Sequence, residues 1–304
     1  GIKPIIGCEV YMARRKMSDR VHGLDNDPYH LVLLCENQKG YENLCYLVSE
    51  AFLHGFYGKP RVDLELLEGH HEGLIALSAC LAGAIPQALM NENYDEAKRM
   101  ALELSRIFGP EPFYLEMQDH GIDKQRPVNQ GLQRLARETG LPLVVTNDAH
   151  YLRREDADMQ DVLLCIQTGK TVDDLNRMRF ETQEFYLKSE QELRQLFPGC
   201  DEAFDNTVKI AQMCNVDFTF HEYHLPAYPV PEGYTNEGYF RMLCEKGFQE
   251  RYPDAPQEYR ERMEYEINVI SSMGYVNYYL IVWDFIHYAK SVGIPVGPGR
   301  GSAA

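Results

Sequence analysis

Through the first 150 residues, short apolar runs alternate with longer stretches in which apolar positions recur every three or four residues. This rhythm predicts strands and helices taking turns. Strands are expected at residues 5–12, 30–34, 74–78, 113–117 and 141–146. Between them the helical period runs over residues 40–56, with Leu44, Leu47, Val48, Ala51 and Phe52 on one face, and over 94–108 and 124–138. Such spacing predicts an α/β fold, with βα units around a parallel sheet or barrel. After Thr146 the strand signal fades, and helices are expected at 155–167 and 204–216, the latter capped by Asp205 or Asn206. The proline-marked stretch 224–233 breaks all periodicity, which places a boundary near residue 222 and predicts domains 1–222 and 223–304. The second domain reads as helical over 236–251, 257–273 and 278–292, and ends in a glycine-rich segment, 297–304.

Composition narrows the class. With 304 residues, 44% hydrophobic and 25% charged, the chain has material for a packed core and about two domains. Its 46 acidic against 30 basic side chains give a net charge of −16, which excludes a protein that coats nucleic acid over its whole surface. Residues 223–304 carry 7 basic and 10 acidic groups, so that segment is far less hostile to a polyanion than the first. The most apolar run near the end, 278–283, is far short of the ~20 residues a membrane span needs, and no secretory signal opens the chain. The eight cysteines are scattered, with no C-x-x-C, and are expected to be reduced in the cytoplasm. Gly1 in place of an initiator Met, and the glycine loop at the other end, give the expectation of a piece cut at both ends.

The strongest chemical signal is Thr146-Asn147-Asp148-Ala149-His150, directly after an expected strand. In α/β barrels the C-terminal strand ends hold the working residues, and a carboxylate with an imidazole two positions on can face one metal. The same residues equally suit an Asx-turn that caps the next helix and leaves His150 on the surface. Other strands also offer polar groups where packing does not ask for them: Glu9 within the first, Cys80 after the third, Asp119 and His120 after the fourth. Each alone has an ordinary reading, but together their mixed oxygen, nitrogen and sulfur donors suit Zn²⁺ or Mn²⁺ better than Mg²⁺, and point to metal-assisted hydrolysis. His30 stands at the start of its strand, the wrong end by this rule, and on that ground is structural. The segment Gly297-Pro298-Gly299-Arg300-Gly301-Ser302 can cradle phosphate through its N–H groups, an Arg and a hydroxyl, although it lacks the Lys of a P-loop. A flexible glycine turn is its plainer reading. The aromatic residues of 275–285 fall at helical spacing and are expected in the core.

The combination GCEVY (7–11), YHLVLL (29–34), LSACLAG (77–83), TNDAHY (146–151) and VGPGRGSAA (296–304), in this order along the whole chain, resembles the bacterial DNA polymerase III alpha subunits. The resemblance implies a polymerase-and-histidinol-phosphatase (PHP) domain, a distorted (β/α)7 barrel incomplete at its N-terminus, followed by the largely helical start of a polymerase-beta-like palm. It further implies PHP metal positions at Glu9, His30, Cys80, Asp148 and His150, which promotes His30, and nucleotide contacts at Gly299, Arg300, Gly301 and Ser302. Zn or Mn in the PHP site and Mg at the palm are the implied cofactors, with the palm aspartates expected beyond Ala304. Implied partners are primer-template DNA, deoxynucleoside triphosphates, the sliding clamp, the clamp loader and a separate proofreading subunit. The implied activity is nucleotidyl transfer, with 3′–5′ exonuclease action at the PHP site. Two rivals stand beside it: a free-standing PHP phosphoesterase, which leaves 223–304 without a job, and a non-catalytic structural module.

Overall fold

The computed structural model describes residues 1–109, 111–222, 224–297 and 299. The chain separates into two compact units, Gly1–Phe218 and Thr219–Ala304, while the sequence places the division near residue 222.

Unit one contains a six-stranded sheet of β1 (Gly7–Met12), β2 (Tyr29–Cys35), β3 (Arg61–Val62), β4 (Leu74–Leu77), β5 (Phe113–Met117) and β6 (Leu143–Val145), in the order β3-β1-β2-β4-β5-β6. The expectation of a parallel sheet holds only in part. β1 runs parallel to β3, and β4, β5 and β6 run parallel to one another, but β2 is antiparallel to both β1 and β4. A parallel return usually takes a crossover helix, and residues 13–28 between β1 and β2 form none. That connection is instead pinned by the buried Arg61 guanidinium, which donates to the carbonyls of Gly55, Asp25, Met17 and Asp19.

Among the described residues eight helices accompany the sheet: α1 (Gln38–Leu53), α2 (Leu64–Gly69), α3 (Ala84–Met90), α4 (Tyr94–Phe108), α5 (Gln125–Thr139), α6 (Ala157–Thr168), α7 (Glu190–Leu196) and α8 (Asp201–Met213). The sequence pattern does not announce β3, α2, α3 or α7, because none exceeds 7 residues and so none displays a full period.

The two-residue period of a strand divides the side chains between the faces. Val10, Met12, Leu31, Leu33, Leu74, Ala76, Phe113, Leu115 and Met117 enter the main core, together with the buried sides of α1, α4 and α5. On the opposite face, Ile75, Leu77, Tyr114 and Val144 pack with Ile210 and Cys214 from the end of α8. Glu9, His30 and Glu116 alternate with core residues and therefore also belong to this second face, towards one end of the strands.

Unit two consists of α9 (Asn236–Arg251), α10 (Gln257–Ser272) and α11 (Val276–Ser291) around a small core of Phe240, Ile267, Val276 and Leu280. The expected aromatic core in 275–285 is corrected here. Val276 and Leu280, spaced i,i+4, take the buried stripe, while Tyr275, Tyr278, Tyr279 and Phe285 are exposed. Among the described residues no helix is long and apolar enough to cross a membrane.

Candidate metal centre

The reversal of β2 gives His30 its place. His30 lies opposite Tyr11, and Val32 lies opposite both Glu9 and Leu77, so the start of β2 sits beside the C-terminal ends of β1 and β4. The rule that strand ends carry the chemistry fails for His30 only if every strand runs the same way. After β4 the chain folds back onto β2, with the His30 N–H donating to the Ala82 carbonyl and the Gly83 N–H to that of Cys80. Only glycine serves at position 83, since a Cβ there would stand 2.1 Å from the Ser78 carbonyl oxygen. The fold-back brings the Cys80 thiol to 3.8 Å from His30 Nδ1, and Glu9 Oε1 approaches the same nitrogen at 2.7 Å. One donor atom from each of the three lies within 4.8 Å of the others.

The electrostatics of this group favour a cation. The Cys80 thiol and the Glu9 carboxylate push the His30 imidazole up to about 10, against its burial. In return, the hydrogen bond from His30 holds Glu9 below the ordinary carboxylate range, with His150 adding to the effect. A cation at this point would meet an oxygen, a nitrogen and a sulfur donor together, and metal uptake by such a set displaces protons.

Asp148 and His150 come from the loop after β6. Asp148 adopts a left-handed backbone, φ 43°, which is uncommon for a residue with a side chain. His150 Nδ1 meets the Asp148 carbonyl oxygen at 2.8 Å, which leaves Nε2 as its outward ring nitrogen. Asp148 caps no helix: the turn at Arg154–Asp156 starts after Arg153, whose N–H donates to Asp156. The field of His150 reaches Glu9, and that of Asp148 reaches Glu116 and His120. These two residues thus border the group of three without joining its tight cluster.

A strap of residues 180–188 holds this loop, and no periodicity in the sequence announces it. Asn147 and the Lys188 backbone exchange two hydrogen bonds, of 3.0 and 3.1 Å. The His150 N–H donates to the Phe185 carbonyl, and the His150 ring packs against Phe180 and Phe185 with centroids 4.7 and 5.4 Å away. Arg154 and Glu184 form an ion pair across the same seam. The one available signal was the pair Phe180 and Phe185 in an otherwise polar stretch.

His120 and Asp119, expected as further polar donors, are placed otherwise. His120 is buried and stacked on Phe185; its Nδ1 accepts from Gln125 and its Nε2 donates to the Asn147 carbonyl, so both ring nitrogens are engaged. Burial pushes it below the ordinary histidine value. Asp119 accepts from the Gly121 N–H in a local turn. Glu116, which no motif in the sequence marks, is 4% exposed and accepts from Thr146 Oγ1 at 2.5 Å and Gln118 Nε2 at 3.0 Å. Burial pushes its carboxyl above the ordinary range, and the charge of Asp148 adds to the rise. Of the expected nucleotide contacts, Gly299 lies in an exposed loop, whereas Arg300, Gly301 and Ser302 lie outside the described residues.

Residues 1–120 match the PHP domain family, a span that includes Glu9, His30 and Cys80, and residues 238–304 match the family described as the bacterial DNA polymerase III alpha NTPase domain. Over its full length the chain is 48% identical to the DNA polymerase III subunit alpha of Treponema pallidum, 46% to that of Borreliella burgdorferi and 41% to that of Thermus aquaticus. It spans 26%, 27% and 30% of those relatives.

Proposed function

From homology that runs the whole length of the chain to the DNA polymerase III alpha subunits, we propose that this is a segment of the catalytic subunit of a bacterial replicative DNA polymerase. The whole protein would carry out template-directed DNA synthesis in the cytoplasm, where a primer 3′-hydroxyl attacks a deoxynucleoside triphosphate and Mg at the palm stabilises the phosphoryl transition state. Its partners would be primer-template DNA, the sliding clamp, the clamp loader and a separate proofreading subunit. The observation that carries the reading is that the similarity does not stop with the PHP domain. A free-standing phosphoesterase has no use for residues 238–304, which match a polymerase family.

Within this reading, unit one is a PHP domain of the distorted (β/α)7 type and unit two is a linker with the opening of a polymerase-beta-like palm. The mixed sheet with its helices supports the first assignment and the all-helical unit two is consistent with the second. Gly299, Arg300, Gly301 and Ser302 would contact the incoming triphosphate.

Glu9, His30, Cys80, Asp148 and His150 would hold the PHP metal. The donors fit: an oxygen, a nitrogen and a sulfur atom from three residues converge on one point. Sulfur beside nitrogen and oxygen favours Zn or Mn. When bound, such an ion supplies Lewis-acid stabilisation of a phosphoryl group and a water nucleophile near neutral pH, the chemistry of a 3′–5′ exonuclease. Glu9 fixes the orientation of the His30 ring through their 2.7 Å contact, and the Asp148 carbonyl does the same for His150.

The test is primer extension by the whole protein, with release of 3′-terminal nucleotides assayed alongside. Ser302→Ala is expected to raise KM for the nucleotide and lower kcat/KM, and unaltered kinetics would remove the cradle. Hydrolysis of small phosphate monoesters without primer extension would replace the polymerase with the phosphoesterase.

A further inference from the structure

A carboxyl group is costly to bury without a cation beside it, and an apolar side chain would fill the Glu116 position without that cost. Glu116 nevertheless lies within unit one, with Oε1 engaged by Thr146 and Gln118 and Oε2 lacking any hydrogen-bond partner among the described residues. Its neighbours explain what it does there. Thr146 is the first residue of the loop that carries Asp148 and His150. On the other side, the Glu116 N–H donates to Ser78 Oγ at 2.8 Å. Ser78 and Ala79 open the turn that carries Cys80. Both loops hold an unfavourable backbone, with Ala79 at φ 63° and Asp148 at φ 43°. Strained conformations of this kind persist only where the surroundings over-determine them. Glu116 engages both loops at once, the Cys80 turn through its backbone N–H on Ser78 Oγ and the second loop through its carboxyl on Thr146 Oγ1.

We propose that Glu116 is a positioning residue of the metal centre: from beneath the site, it locks the Cys80 turn to the Thr146–His150 loop so that both halves address one ion. This rests on the reading of Glu9, His30, Cys80, Asp148 and His150 as metal ligands. Glu116 is not one of the proposed ligands, and it acts through the hydroxyls of Thr146 and Ser78. Gln118 completes the brace, since its amide donates both to Glu116 at 3.0 Å and to Thr146 Oγ1 at 3.4 Å.

The experiment titrates cobalt(II) into the metal-free whole protein and records both affinity and the absorption spectrum. A thiolate-to-cobalt band that disappears in Cys80→Ser marks this site apart from any other. Two variants test the brace. Glu116→Leu keeps a similar volume and removes both acceptor oxygens; Thr146→Val keeps the shape and removes the hydroxyl, and preserves the test if the first variant fails to fold. Each is expected to weaken cobalt binding about 10–100-fold and to shift the visible ligand-field bands, while the thermal midpoint of the metal-free protein changes little. The double variant is expected to be no worse than the poorer single one, because both remove the same link. Wild-type affinity and an unshifted spectrum in either folded variant would overturn the proposal. Absence of any Cys80-dependent cobalt binding in the wild type would instead overturn the metal centre itself, and the proposal with it.

Discussion

Glu9, His30 and Cys80 stand on strands or against them, whereas Asp148 and His150 stand on a loop held only by side chains and a strap, and the two groups owe their positions to different forces. In the first, ladder hydrogen bonds fix the Cα atoms of Glu9 and His30 and the two-residue period decides which face their side chains take, while the turn that carries Cys80 is bonded directly to β2. Few further contacts are needed. In the second, no ladder exists, and the work falls to Asn147, His120, Phe185 and Glu116, drawn from three separate stretches of chain. A strand-borne ligand therefore survives the loss of a neighbour better than a loop-borne one does.

Removing ligands gives the largest expected effect. His30→Ala takes away the ring between Glu9 and Cys80, and metal uptake by the whole protein is expected to fall by more than the about 10–100-fold typical of an outer partner. Retained uptake in a zinc competition assay would show that the strand half is not the centre. Asp148→Asn keeps the shape and deletes a charge, so metal stoichiometry should drop, and with it the proposed exonuclease activity. If stoichiometry stays at the wild-type value, the centre is confined to the strands.

His120→Ala separates support from ligation. It leaves Gln125 and the Asn147 carbonyl unpaired, at an expected cost of about 2–3 kcal/mol in denaturant unfolding, with metal stoichiometry unchanged. Lost stoichiometry at full stability would make His120 a ligand after all. Asn147→Ala is milder, about 1–2 kcal/mol, and hydrogen exchange should quicken in residues 146–151 and 180–188 while β1 and β2 stay protected. Equal quickening in the strands would erase the distinction between the halves.

The smallest effect is on pH. The strap runs into α7, whose Ser189 and Glu192 form a capping box, and the Ser189 hydroxyl and N–H together hold the Glu192 carboxyl down to about 2. A carboxyl lowered by folding stabilises fully above its unfolded value, near 4.3, and loses that contribution as pH falls towards about 2. Stability between pH 5 and 2 should therefore decline less steeply in Ser189→Ala than in the wild type. Matching slopes would mean that the cap does not anchor the strap.

The strand half and the loop half were also legible to different degrees. Asp148 and His150 were visible as a pair because their ligand types lie two residues apart after an apolar run. Glu9 and Cys80 gained weight only by recurring near other strands, and strand-end reasoning alone turned His30 away. Glu116 passed unremarked in Phe113–Met117, since one acidic residue in a five-residue apolar strand looks like a solvent-facing position until the burial on both faces is known. The strap left no mark, because its hydrogen bonds are made largely by backbone atoms, and these carry no residue-specific signature.

By itself, then, the sequence determined the rhythm of the long elements, the α/β class of the first unit, the helical character of the second, and, through its motifs, the proteins the chain resembles. Those properties are local: they depend on side-chain period and composition within windows of about 10–20 residues. Only the tertiary structure decided that β2 runs backwards, that His30 thereby meets Glu9 and Cys80, and that a buried glutamate joins two loops whose residues are 38 and 30 positions away from it. Strand direction is set by how a connecting loop packs, and a hydrogen bond between distant residues exists only once both ends are held in place, so neither is written in any single stretch of the chain.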